Sequence, residues 1–291
     1  MALSSLPSEL LLQLCTHLQL QELGALTRAS SRCYEILNPE LYSRGIAAGL
    51  VMQMVFLAAE RGLANTAELC LCRQPCPPPE AIQFGFEDRP LQRATDLGHV
   101  EVVRQLLKWG FGNPNAGSGG TFQTPLKLAI FSGHINMVRV LLEHHSVDCN
   151  FEDDYNRYTP LHVAAMRGDG DIVKPLLQRI DIKPDEPDSY RRTPLSYAAE
   201  RGNTDVVRLL LECSKVDRYS KDKQVMAPLD YAMIEGNTGA VKLLLSAEWN
   251  IASSSRGNSL FRRLEATMTA HSFYIYKKTG PIRAAITKFF H

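Results

Sequence analysis

One sequence pattern recurs along this chain every 34 or 35 residues, and that period constrains the fold more than any other feature. A proline marks five copies at intervals of 35, 35, 34 and 34 residues: Pro90, Pro125, Pro160, Pro194 and Pro228. A glycine follows eight residues after each of these prolines. A diverged earlier copy, VFLAAERGLANTAELCLC, occupies residues 55–72. Self-similarity at this period predicts an array of stacked structural repeats.

Each copy contains the residues of two short helices joined by a tight turn. Proline suits the first helical turn, where its missing N–H costs nothing, and glycine supplies the left-handed residue that ends a helix. Paired alanines, such as Ala164 and Ala165, let neighbouring helices pack closely. The valines and leucines after the glycine, as in Val102 and Leu106, form an apolar stripe at helical spacing. The pattern therefore predicts an all-α array whose helix pairs are stable only when stacked.

The segment TPLHVAAMRG, residues 159–168, resembles the core motif of the ankyrin repeat. The resemblance implies a solenoid of about six repeats over residues 46–250, with a diverged first repeat and β-hairpin-like turns between helix pairs. The chain departs from the motif two residues before the threonine, where glycine is expected. Large residues stand there in four successive repeats: Phe122, Arg157, Arg191 and Val225.

Ankyrin stacks present a concave face built from turn tips and inner helices. By this resemblance, large side chains near the tips are the candidates for a groove that binds a target protein. These candidates are Phe122, Tyr155, Arg157, Tyr158, Tyr190, Arg191 and Arg192. Tyrosine and arginine are typical interface anchors. Solvated tip side chains without a partner are the alternative interpretation of the same residues.

A leucine-rich segment, LSSLPSELLLQLCTHL, occupies residues 3–18. It does not have the pattern of a signal peptide, because no Lys or Arg precedes Arg28 and three polar residues interrupt the apolar run. Leucine covers more than half of the helix circumference, and excess apolar surface on a small helical unit indicates an interface. A helical cap on the end of the repeat array is the alternative, and the two roles are compatible.

Residues 3–44 resemble an F-box of the kind that precedes ankyrin repeats in fungal proteins. The matching features include Leu6-Pro7, Glu22-Leu23 and the closing segment PELY at residues 39–42. The resemblance implies an F-box over residues 1–45 that binds the Skp-type adaptor of a cullin–RING ubiquitin ligase. The adaptor-binding residues it implies are Leu6, Pro7, Leu10, Leu11, Leu14, Leu18, Leu23 and Leu26.

This order of modules is typical of a target-recognition subunit of an SCF-type ligase. An ankyrin scaffold or inhibitor without a ubiquitin-ligase role is the second hypothesis. In either case the second partner is a target protein that the sequence does not identify.

The net charge is unevenly distributed along the chain. Residues 252–291 contain seven Lys or Arg and one acid, Glu265, and are therefore +6. Residues 1–45 are −1, and residues 46–251, with 22 basic and 26 acidic residues, are −4. Leu260, Leu264 and Met268 recur every four residues, which favours a helix that caps the array, so residues 251–291 are interpreted as a basic tail or capping segment. No binding motif with interleaved aromatic residues accompanies these basic residues, so we do not expect the tail to bind nucleic acid or membrane.

No combination of His, Cys, Asp or Ser has a catalytic spacing, and no glycine loop for phosphate is present. His99, His134 and His162 stand at motif positions where the repeat uses histidine for local hydrogen bonds. The cluster of Cys70, Cys72 and Cys76 lacks further ligands for a tetrahedral zinc site. We therefore expect no enzymatic activity, metal, cofactor or small-molecule substrate. No apolar run reaches the roughly 20 residues that span a bilayer, which favours a cytoplasmic or nuclear protein.

Overall fold

A computed structural model describes residues 51–72, 89–117 and 123–252. Within these ranges the chain forms twelve helices and no strand, as the helical periodicity predicts. The chain divides into two compact units, Met1–Ser118 and Gly119–His291, and each is described by itself.

The first unit contains two helix pairs. The first pair is α1 (Val51–Arg61) and α2 (Ala64–Cys72), and the second is α3 (Arg89–Asp96) and α4 (Val100–Lys108). Helix α1 contacts α3, and α2 contacts α4, so the two pairs lie side by side in the same orientation. Small and branched apolar residues fill the space between them: Val55, Ala58, Ala59, Ala67, Leu91, Ala94, Val103 and Leu106 are fully buried.

The second unit contains four further helix pairs. The inner helices are α5 (Pro125–Ser132), α7 (Pro160–Arg167), α9 (Pro194–Arg201) and α11 (Pro228–Ile234). The outer helices are α6 (Ile135–Glu143), α8 (Gly170–Gln178), α10 (Thr204–Glu212) and α12 (Thr238–Ala252). Each inner helix contacts the next inner helix, and each outer helix contacts the next outer helix, so the pairs form two parallel rows. This is the arrangement expected of a helical solenoid.

The residues at the helix ends explain why the inner helices begin and end where they do. The side chain of Thr159 accepts a hydrogen bond from the backbone N–H of His162, and Pro160 occupies the first helical position. At the other end Gly168 is left-handed, with φ +84°, and caps the helix. A Cβ at Gly168 would lie 2.5 Å from the Asn203 side chain, so glycine is required there both for its conformation and for space.

Polar side chains of one repeat complete the hydrogen bonding of the preceding inner helix. Asn203 donates to the carbonyl of Ala165 at 2.8 Å, and Asn237 donates to that of Ala199 at 2.9 Å. The equivalent residue in the preceding repeat is Asp169, whose ionised side chain has no hydrogen to donate. There the guanidinium of Arg167 donates to the carbonyl of Phe131 at 2.6 Å. These bonds satisfy carbonyls that a helix C-terminus leaves unpaired, and they join successive repeats.

The turns between repeats keep a left-handed residue even where glycine is absent. Arg157, Arg191 and Val225 stand two residues before the first residue of their motifs, and their φ angles are +59°, +63° and +63°. A left-handed conformation costs a residue with a Cβ about 1–2 kcal/mol, and valine is the least suited of the three because it is β-branched. The solenoid therefore keeps the turn geometry that glycine usually supplies.

Replacing Val225 by glycine should stabilise the protein. Val225 is 56% exposed, so the Val225→Gly variant loses little packing, whereas the strain of its positive φ is relieved. We expect the free energy of unfolding to rise by about 0.5–1 kcal/mol, after allowing for the extra freedom of glycine in the unfolded chain. Urea denaturation followed by circular dichroism measures this change. Val216→Gly is the matched control, because Val216 has no positive φ, and it should destabilise. A loss of stability in Val225→Gly would contradict the strain argument.

Candidate protein-binding surface

Three turns of the second unit each lead into an inner helix, α7, α9 and α11 respectively. We define the first tip as residues 153–158, the second as 188–192 and the third as 222–226. In each tip the backbone N–H of the opening aspartate donates to the carbonyl of the closing residue, at 3.3 Å, 2.9 Å and 3.1 Å respectively. The second and third tips therefore share one closed backbone geometry, and the first tip closes in a similar way with one more residue.

A buried aspartate fixes the conformation of the second tip. Asp188 is 2% exposed, and its carboxylate accepts hydrogen bonds from the N–H groups of Tyr190 and Arg192, both at 2.8 Å. The hydroxyl of Tyr197, on α9, donates to the same carboxylate at 2.6 Å. Burial and this hydrogen bond raise the pKa of Tyr197. The tip is thus attached to its own inner helix through a desolvated, charge-assisted bond.

The third tip repeats this arrangement. Asp222 accepts hydrogen bonds from the N–H groups of Gln224 and Met226, both at 2.8 Å, and from the hydroxyl of Tyr231 on α11. In the first tip, Asp153 accepts from the N–H of Asn156 at 2.7 Å. Sequence reasoning missed these aspartates. The signal was present, because Asp153, Asp188 and Asp222 recur at intervals of 35 and 34 residues.

Neighbouring tips are joined by backbone hydrogen bonds. The N–H of Ser189 donates to the carbonyl of Asn156 at 2.9 Å, and the N–H of Lys223 donates to that of Tyr190 at 3.0 Å. The spacing of the tips is therefore set by the backbone, and their side chains are presented at fixed intervals.

The structure places four of the predicted target-contact residues at the exposed ends of the tips. Tyr155 is 87% exposed and Tyr190 is 57% exposed. Arg157 is also exposed but forms an ion pair with Glu152, with Nε 2.6 Å from Oε2. Arg191, the left-handed residue of the second tip, is exposed as well. These residues form a discontinuous row along successive tips.

Two other predicted contacts lie deeper. The guanidinium of Arg192 lies 3.9 Å from the ring centre of Tyr197 and 4.1 Å from that of Tyr231, and it pairs with Glu200 at 2.6 Å. Its side chain is 14% exposed, so it holds adjacent repeats together more than it faces solvent. Tyr158 is half-buried, and its hydroxyl lies 3.1 Å from that of Tyr197.

A concave cleft of about 520 Å³ lies beside the first tip. Its apolar lining comes from Phe131 at the end of α5 and from Val163 and Met166 on α7. Phe131 is 64% exposed, which is unusual for a phenylalanine. Two exposed arginines, Arg167 and Arg201, also line the cleft. The sequence patterns did not predict this site, because its residues come from three different repeats.

A buried ion pair forms the polar part of the cleft. The ammonium of Lys127 lies 3.3 Å from the carboxylate of Asp153, and the Lys127 side chain is 3% exposed. Burial lowers the pKa of Lys127, and the neighbouring Asp153 opposes that shift. Tyr158, one of the predicted target contacts, is the last residue of the first tip and also lines the cleft. It therefore connects the cleft to that tip.

The histidine of the TPLH motif has the structural role that the sequence predicts. Nδ1 of His162 accepts from the N–H of Thr159 at 3.1 Å, and Nε2 lies 3.1 Å from the carbonyl oxygen of Arg192 in the next repeat. His99 makes a comparable inter-repeat contact, with Nε2 3.3 Å from the carbonyl oxygen of Glu60. Burial lowers the pKa of His162 to about 4, so its ring is neutral near neutral pH.

Comparison with protein families supports the fold. The family described as "Ankyrin repeats (3 copies)" matches residues 55–153, 91–188 and 161–254, which together cover more than half of the chain. The chain belongs to the ankyrin-repeat family. Among curated proteins none matches it. Ankyrin repeats are a protein-interaction fold, which agrees with the exposed tips. In the part of the chain that the structure describes, no helix is both long and apolar enough to span a membrane.

Several predicted site residues lie outside the described residues. They are Phe122 in the target-binding set and Leu6, Pro7, Leu10, Leu11, Leu14, Leu18, Leu23 and Leu26 in the adaptor-binding set.

Acid should destabilise the ankyrin array through His162. The folded protein holds the ring neutral down to about pH 4, whereas the unfolded chain binds a proton near pH 6.5. The contribution of the neutral His162 ring to the free energy of unfolding is therefore complete above pH 6.5 and is lost as the pH falls from 6.5 to 4. Between pH 7 and pH 5 we expect wild type to lose about 2 kcal/mol more of its free energy of unfolding than His162→Gln. Urea titrations at the two pH values measure the difference, and equal losses in the two proteins would refute this role.

Proposed function

We propose that this protein is the target-recognition subunit of an SCF-type cullin–RING ubiquitin ligase. In this proposal the F-box, residues 1–45, binds the Skp-type adaptor, and the ankyrin repeats over residues 46–250 bind a target protein. The observation that carries the proposal is the order of the two modules: an F-box-like segment at residues 3–44 directly precedes an ankyrin array whose tips present Tyr155, Tyr190 and Arg191 to solvent.

Such a subunit forms and breaks no covalent bond itself. It holds a target near the ubiquitin-charged enzyme, so its contribution is effective concentration and orientation. Fixed tips suit this role, because a pre-organised surface loses little conformational entropy when it binds. The backbone bonds between tips and the buried aspartates beneath them provide that pre-organisation.

A second candidate function is an ankyrin scaffold or inhibitor that binds a partner without ubiquitin transfer. The family match favours this candidate in one respect, because it begins at residue 55 and gives the N-terminal segment no support. The two candidates differ in whether the protein binds the adaptor.

A pull-down with a purified Skp-type adaptor separates the two candidates. We expect the full-length protein to retain the adaptor, and a variant with both Leu10→Asp and Leu11→Asp to lose it, because charged side chains cannot enter an apolar interface. Circular dichroism should show unchanged helix content. Leu97→Asp is the matched control, because Leu97 is a 40% exposed leucine of the ankyrin region, and it should leave retention intact. No binding by wild type at micromolar concentration would refute the ligase role.

Charge reversal at the tips should weaken target binding and spare the adaptor. Targets are first identified by proximity labelling in cells that express the protein without residues 1–45, so that targets accumulate. We expect the double variant Arg157→Glu, Arg191→Glu to bind such a target about tenfold more weakly, because it lacks two arginines that anchor the interface. Arg208→Glu, on the outer helix α10, is the matched control. Loss of adaptor and target together, or of neither, would contradict the assignment of the tips as the target surface.

A further inference from the structure

The cleft beside the first tip combines apolar walls with a positive charge. Phe131, Val163 and Met166 give it an apolar surface that water covers in the free protein. Pockets that accept a side chain are mostly apolar with a few placed polar groups, and this cleft has that composition. Its volume of about 520 Å³ is within the range of pockets that bury a ligand group.

The charge of the cleft follows from its ion pairs. Lys127 and Asp153 neutralise each other at 3.3 Å. Arg167 and Arg201 then leave the lining with a net charge of +2. One guanidinium nitrogen of Arg167 donates to the backbone carbonyl of Phe131. Because that carbonyl has no formal charge, it does not neutralise the positive charge of Arg167. Within the described part of the chain the side chain of Arg201 forms no ion pair and no hydrogen bond.

This positive site lies in an acidic part of the sequence. Residues 46–251, which contain the cleft, have a net charge of −4, with 22 basic and 26 acidic residues, so the +2 of the cleft lining is opposite in sign to the sum over this segment. A local field of this kind favours a partner group of opposite sign. Two arginines match a short segment whose few carboxylates meet them.

We infer that this cleft binds an acidic segment of the target protein through an apolar anchor. A leucine, methionine or aromatic side chain of the target enters between Phe131, Val163 and Met166. Aspartate or glutamate residues next to that anchor pair with Arg167 and Arg201, whose forked donors match a carboxylate. The inference rests on the target-binding half of the proposed function and names the chemistry of its target.

The cleft and the second tip form one path for such a segment. Tyr158 lines the cleft, and its hydroxyl faces that of Tyr197 beneath the second tip. The second tip also carries the exposed side chains of Tyr190 and Arg191. A segment anchored in the cleft can therefore continue over the second tip, where Arg191 offers a further positive charge.

The test is selection of peptides from a random peptide library displayed on phage, with the full-length protein as bait. We expect the enriched peptides to share one apolar or aromatic residue flanked by at least two Asp or Glu. Enrichment of peptides without acidic residues would overturn the inference, and so would the absence of any enriched peptide. Displacement of the acidic peptide by a single-stranded oligonucleotide at equal concentration would identify the site as a nucleic-acid surface and would also overturn it.

Variants then locate the binding of the enriched peptide. Arg201→Glu should weaken it about tenfold, because a charge-assisted hydrogen bond becomes a repulsion, and the loss should shrink at high salt. Met166→Ala should weaken it independently of salt. Arg208→Glu, on the outer face, is the matched control and should bind as wild type does.

Thermal melting checks that all three variants remain folded. Unchanged binding in folded Arg201→Glu and Met166→Ala would overturn the assignment of the cleft. Failure of this inference is distinguishable from failure of the ligase proposal, because adaptor retention depends on Leu10 and Leu11 and is measured separately.

Discussion

The buried carboxylates of Asp188 and Asp222 fix the backbone conformation of the second and third tips. A desolvated carboxylate is stable only when donors surround it, and here two backbone N–H groups and a tyrosine hydroxyl do so. Because those N–H groups belong to the tip itself, satisfying the charge fixes the tip conformation. Hydrogen bonds to a charged group contribute about 1.5–3 kcal/mol each, so the two backbone bonds together exceed the cost of about 1–2 kcal/mol for one left-handed residue. Arginine and valine can therefore stand where glycine is usual.

The helices were predictable from the sequence because their determinants are local. Proline at the first turn and glycine at the end delimit the inner helices, as in α5 and α7, and the apolar residues after the glycine specify the outer helices, as in α6. The tips were harder to predict. Arg191 and Arg192 are adjacent in sequence, yet Arg191 faces solvent and Arg192 stacks between Tyr197 and Tyr231. The repeat pattern gives the location of a tip but not the direction of each side chain on it.

The cleft was not predictable from any single repeat. Phe131, Met166 and Arg201 occupy unremarkable positions in their own helices, and they meet only because consecutive inner helices stack. A positive charge from one repeat and an apolar wall from another make a site with a chemistry that neither has alone. Repeat proteins acquire specificity in this way, since substitutions at one position of the motif change the surface without changing the stack. The proposed target segment is therefore recognised by a combination of repeats.

The backbone bonds between tips affect how the array opens. The amide of Ser189 in the second tip donates to Asn156 in the first, and the amide of Lys223 in the third tip donates to Tyr190 in the second, so each bond joins a repeat to the one before it. Hydrogen exchange at either amide therefore requires the bond between two neighbouring tips to open. A partner that holds only the first tip would slow exchange at Ser189, in a repeat it does not touch. Protection of these amides against exchange thus reports whether neighbouring repeats stay joined. A bound segment would raise that protection in repeats that it does not contact.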